Sequence, residues 1–361
     1  MTKHSLLSLL MLCFATAGCN QKSPSAVPDN SQVSEGLAAV SPVTVGVAVG
    51  IGRFESQASL RYSPEAKALQ QTVAREFNQV VAENVMKPQY IHPSENSYFW
   101  DDADYLVDFA KQHDMAVHGH TLVWHQALPD WMNTYSGNWD DMLKEHITTI
   151  VSHYAADIDS WDVVNEAFLD DGSPRQSIWQ TNLPDYIAKA FNYANQADPD
   201  AELYYNDYNI AGMSKKLDAV LAMAKSLRQR NIEITGIGFQ MHIDRYWPSL
   251  DNIREAFQKT VAAGLKVRIS ELDIRMNVNG TETELSPELA HLQQQRYQDI
   301  ILLYLNTVPE EYRGGITFWG VSDKNSWVNY YYQHADWPLL FDDKLQRKAA
   351  WQGVFNAFTS H

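Results

Sequence analysis

Apolar, β-branched runs recur along the chain roughly every 30 to 50 residues: Val43–Gly50, Val80–Met86, Met115–Trp124, Ser160–Glu166, Ala201–Asp207, Thr235–His242, Lys266–Asp273 and Gly314–Val321. Runs of this kind predict strands. Between them lie amphipathic stretches that predict helices, among them Pro64–Phe77, Asp141–Tyr154, Ser214–Arg230, Leu250–Ala263 and Pro287–Leu305. Ser63-Pro64 reads as a cap before a first-turn proline. Strands alternating with helices predict a parallel sheet. Eight such units in about 315 residues predict an α/β fold, a single (β/α)8 barrel over residues 43–361, with its cleft at the C-terminal ends of the strands. The alternative is an open doubly wound sheet. Against it, no Gly-x-Gly-x-x-Gly turn opens a helix after the first strand, and no Walker-type phosphate loop occurs.

Before Val43 the pattern changes. Lys3 and His4 precede an apolar run from Leu6 to Phe14, then the small residues Ala15 to Gly18. This predicts a signal peptide over residues 1–18, too short for a permanent span. Thr16-Ala17-Gly18-Cys19 resembles a bacterial lipobox, with Thr16 where leucine is usual. The resemblance implies lipidation of Cys19 and an exported, membrane-anchored protein. Asn20 favours the outer membrane if the host is Gram-negative. The alternative is an ordinary secretory signal that contains a cysteine. Residues 21–42 are rich in Ser, Pro, Ala and Val without a period, and residues 19–42 together read as a lipidated cysteine and flexible linker.

Composition narrows the function. Among 361 residues, 45% are hydrophobic and 20% charged, which excludes gross disorder and a polytopic membrane protein. The net charge of −16 repels phosphate backbones, so no nucleic-acid partner is expected. The two cysteines, Cys13 and Cys19, precede the barrel, so no disulfide staples it. The 11 Trp and 18 Tyr suit stacking on sugars, and equally a large core.

Polar residues cluster where the predicted strands end. The ends read Glu83-Asn84-Val85-Met86-Lys87, His118-Gly119-His120 through Trp124-His125, Asn165-Glu166, Asn206-Asp207-Tyr208-Asn209, Gln240-Met241-His242, Ser270-Glu271-Leu272-Asp273 and Phe318-Trp319-Gly320, leading to Asp323 and Trp327. Seven polar strand ends predict one aromatic-lined cup. Glu166 on the fourth strand and Glu271 on the seventh face each other across the barrel. Paired carboxylates flanking a cleft are what glycosidic cleavage needs. A competing metal site would draw on His118, His120, His125, His242 and Asp273. However, the His-x-His pair sits on the third strand, whereas barrel metallohydrolases usually carry it on the first. Histidines in a carboxylate-rich cup more often bond those carboxylates. Neither metal nor cofactor is expected.

Six motifs, Glu83–Pro88, Gly119–His125, Trp161–Glu166, Asn206–Asn209, Ile269–Asp273 and Phe318–Asp323, resemble glycoside hydrolase family 10 in order and spacing. The likeness runs from about residue 43 to 358. It implies a retaining endo-1,4-β-xylanase acting on xylan or xylo-oligosaccharides as a monomer. It also implies Glu166 as acid/base and Glu271 as nucleophile. Asn165 would bind the sugar 2-hydroxyl. His242 would hydrogen-bond Glu271, oriented by Asp273. Tyr208 and Gln240 would hold groups around the scissile bond. Glu83, Asn84, Lys87, His120 and Trp124 would line the non-reducing side, and Trp319 and Trp327 would roof it. Trp319 would exclude glucose, whose hydroxymethyl group xylose lacks. The chain departs from the family where Ala127 replaces a usual glutamine and His118 a usual arginine. The aromatic stretch Val328–Trp337 reads as a long loop that adds a stacking platform or covers the barrel end. Alternative functions are a β-glucan-active barrel glycosidase and a non-catalytic glycan-binding barrel.

Overall fold

The computed structural model describes residues 34–55 and 57–361. The leader, Cys13, Cys19 and most of the linker lie outside the described residues. Eight strands form the barrel: β1 Val45–Val49, β2 Gln79–Ala82, β3 Ala116–Val123, β4 Ser160–Asn165, β5 Glu202–Asp207, β6 Gly236–Phe239, β7 Lys266–Arg275 and β8 Arg313–Phe318. Every neighbouring pair is parallel, and β1 closes the ring by pairing with both β2 and β8. Eight long helices wrap it: α1 Ala66–Glu76, α2 Asp101–Gln112, α3 Trp139–Tyr154, α4 Tyr186–Ala197, α5 Ser214–Gln229, α6 Leu250–Ala262, α7 Pro287–Thr307 and α8 Ala349–Ser360. The expected (β/α)8 architecture is the observed one.

Local chemistry sets the element ends. The Asn138, Ser249 and Ser286 side chains accept from the N–H groups of Asp140, Asn252 and Leu289, capping α3, α6 and α7. Gly119 lets β3 and β4 approach, since a Cβ there would sit 2.1 Å from Trp161 Cε3. The barrel interior is polar at its centre. Buried Arg268 reaches Gly314 O and Thr317 Oγ1, each at 2.8 Å. The register slips between Asp162 and Val164 on β4, and between Ile269 and Leu272 on β7. Such irregularities re-aim side chains next to functional sites, and here they fall just before Glu166 and beside Glu271.

Four expectations change. The end of the tether is folded: Leu37–Val40 is helical, Leu37 is fully buried and its N–H donates to Glu76 Oε2 at 3.3 Å. A single helical turn is too short to show a period. The second strand stops at Ala82, and residues 83–86 turn across the barrel mouth. The sixth breaks at Gln240-Met241, where Met241 has φ +59°, and resumes as His242–Asp244 paired with β7. Ser63 accepts from Glu65 N at 3.0 Å, but α1 begins at Ala66, so the cap signal lies ahead of the helix it announces.

Candidate active site

The two glutamates are tied into one chain of hydrogen bonds. Glu166 follows β4 with φ +58°, a left-handed turn that presents its side chain at the barrel mouth. Trp124 Nε1 donates to its Oε2 at 3.0 Å, and Gln240 Nε2 donates to its Oε1 at 3.0 Å. Gln240 Nε2 also reaches Asn165 Oδ1 at 3.2 Å, as does Asn206 Nδ2 at 3.0 Å. Asn206 Nδ2 donates onward to Glu271 Oε1 at 2.6 Å. Three amides therefore bridge the carboxylates.

Glu271 and its other oxygen belong to a second relay. His242 Nε2 lies 3.0 Å from Glu271 Oε2, and His242 Nδ1 lies 2.8 Å from Asp273 Oδ2. Trp327 Nε1 donates to that same Asp273 oxygen at 2.8 Å. Burial opposes charge on His242, but the two carboxylates outweigh it and raise the imidazole to about 10. The ring is thus an imidazolium at neutral pH. Burial alone would raise Glu271; the His242 hydrogen bond and the nearby histidines outweigh it and hold the carboxyl below its ordinary value.

The turn after β2 builds one wall of the site. Lys87 Nζ donates to Asn84 Oδ1 at 2.9 Å and lies 4.9 Å from the Trp124 ring centroid. Burial lowers Lys87, while burial and the Glu55 charge raise Glu83 to about 7. His120 Nδ1 bonds Asp162 Oδ2 at 2.9 Å, and its ring meets Trp319 edge-on at 5.2 Å. Trp327 packs on His242 at 4.8 Å. Tyr208 shares none of the amide network's bonds. Its hydroxyl accepts from Arg175 Nη2 at 2.7 Å, and Arg175 Nε donates to the Glu166 carbonyl at 2.8 Å.

The metal alternative does not assemble as the sequence suggested. Among the described residues, one group of three metal-ligating types converges: His120, Asp162 and Glu271, with ligand atoms within 4.8 Å of one another. His118, His125, His242 and Asp273 are not part of it. His118 turns to Ser160 Oγ at 2.7 Å and Asp162 Oδ1 at 3.2 Å. Burial and Arg268 lower His118 to about 4.

At the departures from the family pattern, Ala127 takes φ +48° and its carbonyl accepts from Gln89 N at 2.7 Å, while Gln126 is exposed. The stretch read as a loop from Val328 begins as a helix, Trp327–Tyr332. Tyr330 and Tyr331 are exposed, and the Arg275 guanidinium lies 3.4 Å from the Tyr332 ring centroid.

Comparison with known proteins follows the same lines. The model of glycosyl hydrolase family 10 matches residues 39–357. The chain belongs to glycosyl hydrolase family 10. Endo-1,4-beta-xylanase A of Cellvibrio japonicus (strain Ueda107) is 39% identical over 351 residues, covering 90% of this chain and 56% of the relative. Endo-beta-1,4-xylanase Xyn10C of Cellvibrio japonicus is 40% identical over 316 residues, covering 80% and 52%. The chain therefore spans about half the length of these curated relatives. A mutant xylanase10C from Cellvibrio japonicus in complex with xylopentaose superposes with a TM-score of 0.85 at 36% identity, covering 90% of this chain and 69% of that one. Native xylanase 10B from Thermotoga maritima gives 0.83 at 34% identity, covering 90% and 98%.

This family 10 site also uses residues not singled out from sequence. Asn206, Ser270 and Asp162 stand inside the strand-end motifs, and their polar type at those positions was the available signal. Glu55, which accepts from Asn84 Nδ2 at 2.8 Å, ends a single 3-10 turn after β1, and Arg175 lies on the connection after β4; neither has a motif to mark it.

Proposed function

We propose that the protein is a retaining endo-1,4-β-xylanase acting on xylan or xylo-oligosaccharides. The observation that carries the reading is the amide-bridged pair Glu166 and Glu271 in a family 10 barrel. Glu271, kept ionised by His242 and Asn206, attacks the anomeric carbon. Glu166 gives its proton to the leaving glycosidic oxygen as that bond breaks. The result is a glycosyl ester on Glu271 and a free reducing-end product. Glu166, now a base, takes a proton from water, whose oxygen displaces Glu271 from the anomeric carbon. Two inversions leave the β configuration. Asn165 meets the sugar 2-hydroxyl, and Gln240 steadies Glu166. Tyr208, held by Arg175, faces the leaving-group side. The xylopentaose held by the Cellvibrio japonicus relative supports the substrate class.

Proton NMR during hydrolysis of a xylo-oligosaccharide in deuterated buffer tests the reading. New β-anomeric signals that appear first and then mutarotate are expected. First-formed α-anomers would make Glu271 a general base. Binding without cleavage would favour a silent glycan-binding barrel, and faster turnover of cello-oligosaccharides a glucanase.

The export reading rests on residues 6–19, outside the described residues. The protein is carried to the outer membrane on a lipid at Cys19 and works as a monomer. No helix among the described residues is long and apolar enough to cross a membrane. Cys19→Ser should abolish lipid labelling and move the protein out of the membrane fraction. An unchanged distribution would leave an ordinary secretory signal as the better reading.

A further inference from the structure

Glu166 carries its carboxyl on a left-handed turn, φ +58°, which residues other than glycine rarely adopt. Such a turn persists only where its surroundings over-determine it. Three groups grip its backbone. Asn206 O accepts from Glu166 N at 2.9 Å, Arg175 Nε donates to Glu166 O at 2.8 Å, and Ala167 N donates to Tyr205 Oη at 2.8 Å.

Two of these grips are the ends of longer chains. Tyr205 Oη donates in turn to Asp207 Oδ2 at 2.5 Å, from the same face of β5. Asp207 Oδ1 accepts from Tyr208 N at 2.9 Å and from Lys216 Nζ at 2.8 Å. Arg175 leads to the same place, because it donates to the Tyr208 hydroxyl at 2.7 Å and Lys216 Nζ lies 3.5 Å from the Tyr208 ring centroid. Both chains end on Lys216, in the first turn of α5. Its ammonium also reaches Asp170 Oδ1 at 3.3 Å, on the connection that follows Glu166.

Tyr205, Asp207 and Lys216 are fully buried. A lysine is almost never buried so completely unless it is paired. Here two carboxylates and an aromatic face surround the ammonium. Being fully buried, Lys216 touches no substrate, so any effect it has on the reaction passes through the groups it holds. We infer that Lys216 is a positioning residue for the acid/base: through Tyr205 and Arg175 it fixes the Glu166 turn, so that the carboxyl meets the leaving glycosidic oxygen. The inference rests on the xylanase reading.

The test compares kcat/KM on xylopentaose, whose leaving sugar needs a proton, with kcat/KM on 2,4-dinitrophenyl β-xylobioside, whose leaving group departs without one. Lys216→Met in the full chain should lower the first about 10- to 100-fold, as expected for an acid displaced by a fraction of an ångström, and the second less than about twofold. Tyr205→Phe, which removes one hydroxyl and no charge, should show the same selectivity. Partial unfolding would lower both substrates together in one preparation, so the ratio reads position rather than stability. Equal losses on both substrates, or no loss on either, would overturn the inference.

A double variant separates Glu166 from a leaving-side contact made by Tyr208. Added to Glu166→Ala, Lys216→Met should cost xylopentaose hydrolysis nothing further, since the group it positions is already gone. An additive loss would show that Lys216 acts through Tyr208 on the sugar, and would also overturn the inference. The unmutated chain keeps the two readings apart. No cleavage of xylopentaose refutes the xylanase; cleavage without leaving-group selectivity in the variants refutes only the role of Lys216.

Discussion

Asn206 Nδ2 donates to Glu271 Oε1 across 2.6 Å, although the two residues stand on β5 and β7 with β6 between them. The amide cannot turn away, because Ser270 Oγ donates to its Oδ1 at 2.6 Å. A fixed donor on a buried carboxylate favours the charged form. Asn206→Ala should therefore lower kcat about 10- to 100-fold, the range for a hydrogen bond to a charged group. It should also move the acidic limb of the pH–rate profile upward, since Glu271 would bind its proton more readily. A lower rate with an unmoved limb would reduce Asn206 to a packing role.

The His242 imidazolium links stability to pH. Its folded value of about 10 lies above the ordinary 6.5. The stabilisation it brings is complete below about pH 6.5 and is lost as pH rises through about 10. Calorimetric melting of the parent and of His242→Gln across this window should show a steeper alkaline fall for the parent. Parallel curves would mean that His242 is neutral between its two carboxylates.

Roles for Glu166 and Glu271 are separable with azide and an aryl β-xylobioside. Glu166→Ala should cut xylan hydrolysis about 10²- to 10⁴-fold, the contribution typical of acid–base catalysis. In its presence azide should yield the β-glycosyl azide, because the ester on Glu271 still forms. Glu271→Ala with azide should yield the α-product by a single displacement. The opposite pairing of variant and anomer would exchange the two assignments.

Trp319 is nearly buried and meets His120 and His242 edge-on at 5.2 and 6.2 Å. A ring so fixed leaves no room for a hydroxymethyl group to push it aside. Trp319→Ala should lower the ratio of kcat/KM on xylo- to cello-oligosaccharides about tenfold, by admitting glucose. An unchanged ratio would place the selectivity elsewhere in the cleft.

Glu76 closes the barrel's first and last helices. It is fully buried and receives Trp351 Nε1 at 2.9 Å, Arg347 Nη2 at 2.8 Å and Leu37 N at 3.3 Å. Glu76→Ala leaves that guanidinium without its buried carboxylate and should cost about 3–5 kcal/mol in denaturant unfolding. A loss under about 1 kcal/mol would show that the chain ends relax around the gap.

Strand periodicity was readable because each barrel strand is buried on both faces and stays apolar until its end. Elements lacking that signal were misjudged. The turn Leu37–Val40 is held by Glu76, nearly forty residues away, and nothing local announces it. His242–Asp244 is extended because it pairs with Asp273–Arg275, a partner supplied only by the fold.

Sequence by itself determined the barrel and which polar residues stand at its strand ends, Glu166 and Glu271 among them, since strand-end position and residue type are local properties. Tertiary structure decided which polar groups meet. Tyr208 is bound by Arg175 rather than by the glutamates, Asn206 reaches Glu271 past a whole strand, and Trp327 fixes Asp273 from the short helix after β8. Those contacts depend on barrel closure and on register slips of a single residue, which bring together side chains dozens of positions apart and leave no spacing in the chain to read.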